Sequence, residues 1–284
     1  MKISNRLKSI AGLVTEKDVI ADIGCDHAYL DIYLVKNKIV PKAYVSDVNL
    51  NALNNGIKNI KKNHLEREIE AKLCDGIKGI PEEVNTLIIS GMGSSTIIKI
   101  LSNPKLKQID KMIIQSNNDY YILRKFITSK GYFISHESAV YDNGNYYINI
   151  VFLKGHKKYN LKELTYGPIL MYSNKNYFEH LYNKQKQILD NIPKYKAYTR
   201  LQMKRKALYL KEYAVELLLV PNTQTLTSDA KVQVSSDDIE NFINSKTAFV
   251  SVNELPQISD QTKEDTNTND NTSADNNTNN NTNR

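Results

Sequence analysis

The chain has 284 residues and a formal charge of +7, enough length for one α/β domain with a substantial core plus an appendage. From residue 221 onward 4 Lys/Arg stand against 10 Asp/Glu, so residues 1–220 are strongly basic, a balance that suits a polyanion as well as a Lys-rich solvated surface. Cys25 and Cys74 lack CxxC spacing, no run reaches the roughly eighteen apolar residues of a membrane span, and Met1 to Ile10 lacks a signal-like apolar core; zinc, disulfides and membrane insertion are disfavoured, and a soluble cytoplasmic protein is expected.

In chain order, Ser4 to Val14 places Leu7, Ile10, Ala11 and Val14 at helical spacing and reads as a helix laid on a sheet. Its Arg6 is assigned to solvent rather than to a ligand. Short β-rich runs follow at Val19 to Ile23, Ala43 to Ser46, Ile69 to Leu73, Thr86 to Ser90 and Lys111 to Gln115, with helical stretches between them, the pattern of a parallel sheet. Two further strands, Tyr132 to Glu137 and Tyr146 to Leu153, flank a turn around Asp142, Asn143 and Gly144 and should form an antiparallel hairpin at the sheet edge. After Gly155 the pattern turns helical and rich in Lys and Tyr. Helices over about Lys175 to Leu189 and Lys194 to Leu219, parted by Pro193, should form an antiparallel, coiled-coil-like pair. The expected organisation is therefore a sheet domain over 1–156, a helical hairpin over 157–220, and an Asn/Thr-rich tail over 221–284 that cannot bury a core.

The strongest chemical signal is Val19 to Leu30, an apolar strand running straight into a Gly-containing turn and a helix, the junction at which doubly wound sheets bind nucleotide-like ligands. Gly24 permits close backbone approach, and Asp22 can accept from a cationic amino group. Asp47, the first acid after the second strand, can bind both ribose hydroxyls. No G-x-G-x-x-G is present, which disfavours a dinucleotide pyrophosphate and favours S-adenosylmethionine, a nucleoside without phosphate. Asp75-Gly76, at the end of the third strand, can meet an adenine amino group. Ser90 to Ser95 follows the fourth strand where an acceptor would lie, with Ser94 or Ser95 as helix N-cap. Gln115 to Asn118 offers amides for a base edge or for capping the following helix. The histidines show no ligand spacing, and no metal is expected.

Asp22-Ile-Gly-Cys-Asp-His-Ala-Tyr-Leu30, followed by Gly91-Met92-Gly93 and by Gln115 and Asn117, resembles the bacterial tRNA (adenine(22)-N(1))-methyltransferases. The resemblance covers roughly residues 1–220. It implies a Rossmann-like class I methyltransferase domain with a seven-stranded, mostly parallel sheet, a C-terminal helical domain, and methyl transfer from S-adenosylmethionine to adenine N1 in the tRNA D-arm. Cofactor contacts are then expected from Asp22, Gly24, Cys25, Asp26, His27, Asp47, Val48, Asp75, Gly76, Gly91 and Met92. Asp26, His27 and Tyr29 are the candidates for orienting the base and for offsetting the charge it gains. Four positions depart from the family pattern: Cys25 replaces a usual Ser, Asp31 a usual Pro, Ser94 a usual Gly and Ser116 a usual Pro. Lys194, Lys196, Arg200, Lys204, Arg205 and Lys206 form the densest basic cluster of the helical segment and are the expected tRNA contacts of a monomeric enzyme. A methyltransferase with another acceptor, and a catalytically silent RNA-binding scaffold, are the competing readings.

Overall fold

The computed structural model describes residues 2–216; the expected tail, and the end of the second hairpin helix, lie outside the described residues. Strands β1 (Ile20–Ile23), β2 (Ala43–Asp47), β3 (Ile69–Leu73), β4 (Thr86–Met92), β5 (Lys111–Ser116), β6 (Tyr132–Asp142) and β7 (Asn145–Lys154) form one sheet in the order β3-β2-β1-β4-β5-β7-β6. The first five strands pair in parallel and β7 runs antiparallel between β5 and β6. The seven-stranded, mostly parallel sheet is as expected, and the strand order reverses between β1 and β4, the switch point at which such sheets take ligands.

Alternation along the strands explains the layers. Ala21, Ile23, Leu87, Ile89, Met112 and Ile114 point to one face, where α4 (Ser94–Leu101) and α5 (Tyr120–Ser129) contribute Ile97, Leu101, Leu123 and Ile127. Ile20, Val45, Ile88 and Ile113 point to the other face, covered by α1 (Asn5–Ala11), α2 (Tyr29–Lys36) and α3 (Leu50–Lys62). The first helix is shorter than its apolar spacing implied, because Ser4 accepts from the Leu7 amide as N-cap and Gly12 stops it. The β6–β7 turn is the two-residue Asn143-Gly144, both at positive φ (48° and 83°), which gives the type of turn whose twist matches an antiparallel hairpin.

Beyond Gly155 come two short helices, α6 (Leu161–Tyr166) and α7 (Leu170–Ser173), then α8 (Lys175–Asn191) and α9 (Ala197–Glu216). Helix α9 begins three residues later than the pattern implied, after the bend at Pro193. Gln185 faces Met203, and Arg200 donates to the carbonyls of Leu189 (2.9 Å) and Ile192 (2.5 Å), so α8 and α9 run antiparallel. Phe178, Leu210, Tyr213 and Ala214 join the core of the sheet face shared with α4 and α5. A buried ion pair anchors this packing. Arg124 of α5 donates to Glu137 of β6 at 2.8 Å, Glu137 accepts from the Ile169 and Leu170 amides, and Arg124 reaches the carbonyls of Leu164 and Thr165.

Candidate active site

The carboxyl ends of β1 to β4 open onto one cavity of about 870 Å³, within the size of small-molecule sites. From β1 and its turn come Asp22, Gly24, Cys25, Asp26 and His27; from β2, Asp47 and Val48; from β3, Asp75 and Gly76; from β4, Gly91 and Met92. Every residue expected to contact the cofactor therefore lines the same space, and Tyr29 reaches it as well.

The β1 turn is built by backbone geometry. Gly24 sits at φ 77°, and Asp26 and Ala28 also adopt the left-handed region, so the chain reverses within five residues before α2 begins. The Gly24 and Cys25 amides donate to the Ser46 carbonyl, which ties the turn to β2. Helix α3 braces it from outside: a Cβ on Gly56 would stand 3.0 Å from the Asp26 carbonyl, and Asn59 donates to the His27 carbonyl at 3.0 Å. Neither Gly56 nor Asn59 carries a chemical signature in the sequence; both act through close packing with residues some thirty positions away.

The walls differ in electrostatics. Asp22 is buried, and desolvation lifts its carboxyl to about 7, partly countered by Asp31 and Arg6. Asp47 accepts from the Asn49 amide at 2.8 Å through one oxygen, and its second oxygen has no hydrogen bond among the described residues. Asp75 pairs with Lys78 at 2.6 Å, which holds its carboxyl below the usual range. At the rim His27 lies 3.5 Å from Asp26 and stacks on Tyr29, ring centroids 5.2 Å apart and nearly parallel. All three side chains are substantially exposed.

Three expectations are corrected. Arg6 is not a solvated surface residue: it lines the cavity and donates to Gln115 at 3.0 Å, beside Gly91. Gln115 is buried and committed to Arg6 and to Asn149 (2.6 Å), so it offers no free edge to a base. The N-cap of α4 is Gly93 rather than Ser94 or Ser95, and the capping acceptor comes from the loop after the adjacent strand β5: Asn118 receives the Ser94 amide at 2.9 Å. Asn118 thus caps α4 instead of the helix that follows it, and Asn117 donates to the Gly91 carbonyl at 2.7 Å. Lys78, Thr96 and Lys99 also line the cavity without having been marked by any motif.

A methyltransferase-domain family model matches residues 3–150, more than half of the chain. A Mycoplasma genitalium protein named as a tRNA methyltransferase is 34% identical over 176 residues, spanning 60% of this chain and 79% of its own length. The Bacillus subtilis tRNA (adenine(22)-N(1))-methyltransferase is 29% identical over 150 residues, 52% of this chain and 63% of that protein. The solved structure of M. capricolum TrmK with S-adenosyl-homocysteine is 31% identical, superposes with a TM-score of 0.65, and covers 75% of this chain and 98% of that one. The chain belongs to the bacterial tRNA (adenine(22)-N(1))-methyltransferase family. In this methyltransferase the basic residues of the hairpin are distributed unevenly. Lys194, Lys196, Lys204, Arg205 and Lys206 are exposed, whereas Arg200 closes the α8–α9 connection. Among the described residues no helix is long and apolar enough to cross a membrane, and no group of three His, Cys, Asp or Glu could hold a metal ion.

Proposed function

We propose that the protein transfers a methyl group from S-adenosylmethionine to N1 of adenine 22 in tRNA. The observation that carries the reading is the convergence of Asp22, Asp47 and Asp75, from three adjacent strands, on one cavity beside the Gly24 turn. The residues fit the cofactor chemically: a buried carboxyl for an ammonium group, an acceptor at β2 for ribose hydroxyls, and an acceptor at β3 for an adenine amino group. When bound, S-adenosylmethionine supplies an electrophilic methyl group.

Adenine N1 carries a lone pair and needs no proton removed, so the chain has to position the base rather than deprotonate it. The stacked His27–Tyr29 pair at the rim offers an aromatic platform for that base, and the adjacent Asp26 carboxylate offsets the positive charge the methylated ring acquires. A base paired in tRNA is turned out of its stack to reach the rim. Exposed Lys194, Lys196, Lys204, Arg205 and Lys206, with the largely exposed Tyr195 and Tyr198, serve as the phosphate and base contacts; the protein acts as a cytoplasmic monomer, and 157–220 is its RNA-gripping module.

The deciding experiment is tritium transfer from labelled S-adenosylmethionine to unmodified tRNA transcripts with and without adenine at position 22. Label that disappears with that base is expected; label retained on the substituted transcript moves the target elsewhere. Asp26→Ala is expected to slow single-turnover transfer, and a full rate in that variant would remove Asp26 from the mechanism.

A further inference from the structure

Asp31 plays no part in the activity described above, yet it is completely buried in the first turn of α2. Neither of its carboxyl oxygens has a hydrogen-bond partner among the described residues. What it meets is the carboxyl of Asp22, within hydrogen-bond reach. Asp22 lines the cavity and Asp31 lies behind it. Two ionised carboxylates in contact out of water repel strongly, whereas one shared proton turns the same contact into a charge-assisted hydrogen bond.

The other charged or titratable groups facing the pair are Arg6 from α1, Cys25 from the turn and Asp47 from β2. Arg6 favours an ionised Asp22, and Asp47 opposes it. The Cys25 thiol is held protonated by burial and by the surrounding acids. Apart from Asp22, the group near the Asp31 carboxyl that favours its ionised form is Asp31's own backbone amide, which makes no full hydrogen bond to it among the described residues.

We propose that Asp31 holds the proton of this pair and donates it to Asp22, making Asp31 a positioning residue for the carboxylate that receives the ligand's ammonium group. The inference rests on reading the cavity as the S-adenosylmethionine site. Asp22 is the ionised member because it alone faces Arg6 and the cavity. The donated bond orients that carboxylate toward the open side. Burial lifts both groups, Asp22 to about 7, so the pair gains a second proton as pH falls through neutrality. An ammonium ligand prefers ionised Asp22; affinity is therefore full above that value and declines below it, with a proton released on binding.

The test is calorimetric binding of S-adenosylhomocysteine to the ligand-free full chain from about pH 5.5 to 8.5, a readout that needs no methyl transfer. Asp31→Asn keeps a neutral donor and is expected to leave the pH midpoint in place. Asp31→Leu removes the donor and should raise the midpoint by about one pH unit, weakening binding about fivefold at pH 7. A midpoint lowered by a unit or more in Asp31→Asn would show that Asp31 is ionised and overturn the proposal, as would an unmoved midpoint in Asp31→Leu. Should Asp31→Leu fail to melt cooperatively, proton counts from buffers of different ionisation enthalpy decide: about one proton released near pH 6 by both wild type and Asp31→Asn supports the shared proton, and unequal counts refute it. No binding by the wild type at any pH would instead remove the cavity's assignment as the cofactor site.

Discussion

At the residue scale the β1 turn concentrates both constraint and chemistry. Gly24 holds φ 77°, and a Cβ there would run into the Met92 side chain, which also lines the cavity. Gly24→Ala is expected to cost roughly 1–2 kcal/mol of backbone strain and to displace Met92 into the cavity. Binding of S-adenosylhomocysteine should weaken about tenfold or more, measured by titration beside a thermal melt. Burial, reinforced by the nearby Asp22, Asp31 and Asp47, pushes the neighbouring Cys25 thiol up, whereas Cys74 is partly exposed with its thiol directed to the Gly76 carbonyl. At pH 8 an alkylating reagent should label Cys74 in the native chain and Cys25 only after denaturation, as read by mass spectrometry. The motif around Gly24 was legible because its requirements are local. Arg6 was not: its partner Gln115 lies 109 positions away, and no local pattern distinguishes it from a solvated helix arginine.

At the scale of elements, the helical segment is joined to the sheet through one buried ion pair rather than by apolar packing alone. Arg124 and Glu137 are both fully enclosed, and Gly167 passes so close that a Cβ would approach both within 3 Å. Removing Glu137 strands the Arg124 charge and also frees the Ile169 and Leu170 amides. Glu137→Ala is therefore expected to destabilise by about 3–5 kcal/mol, measured by urea unfolding, with Glu137→Gln milder. The same scale explains why strand positions were foreseen and caps were not. Short apolar, β-rich runs mark β1 to β7 in the sequence itself, whereas α4 takes its capping acceptor from Asn118, on the loop after the neighbouring strand.

For the whole molecule, α9 exposes Lys204, Arg205 and Lys206 while its apolar positions Ala207, Leu210, Tyr213 and Ala214 are buried. Replacing Lys204, Arg205 and Lys206 together by Gln should weaken binding of every tRNA to a similar degree. The dependence of log affinity on log salt should flatten by about two to three, measured by filter binding across ionic strength. An unchanged slope would place the RNA contact elsewhere.

The sequence by itself determined the sheet, the Gly24 turn, the acids at the ends of three strands and the family to which the chain belongs. Those features follow from periodicity and from residues adjacent along the chain. Only the tertiary structure decided that Arg6 enters the cavity, that Gln115 is spent on Asn149, that Arg200 closes the hairpin, and that Asp31 lies against Asp22. The physical reason is the same in each case. A polar side chain's role depends on which donors and acceptors share its buried space, and folding brings those partners from distant positions.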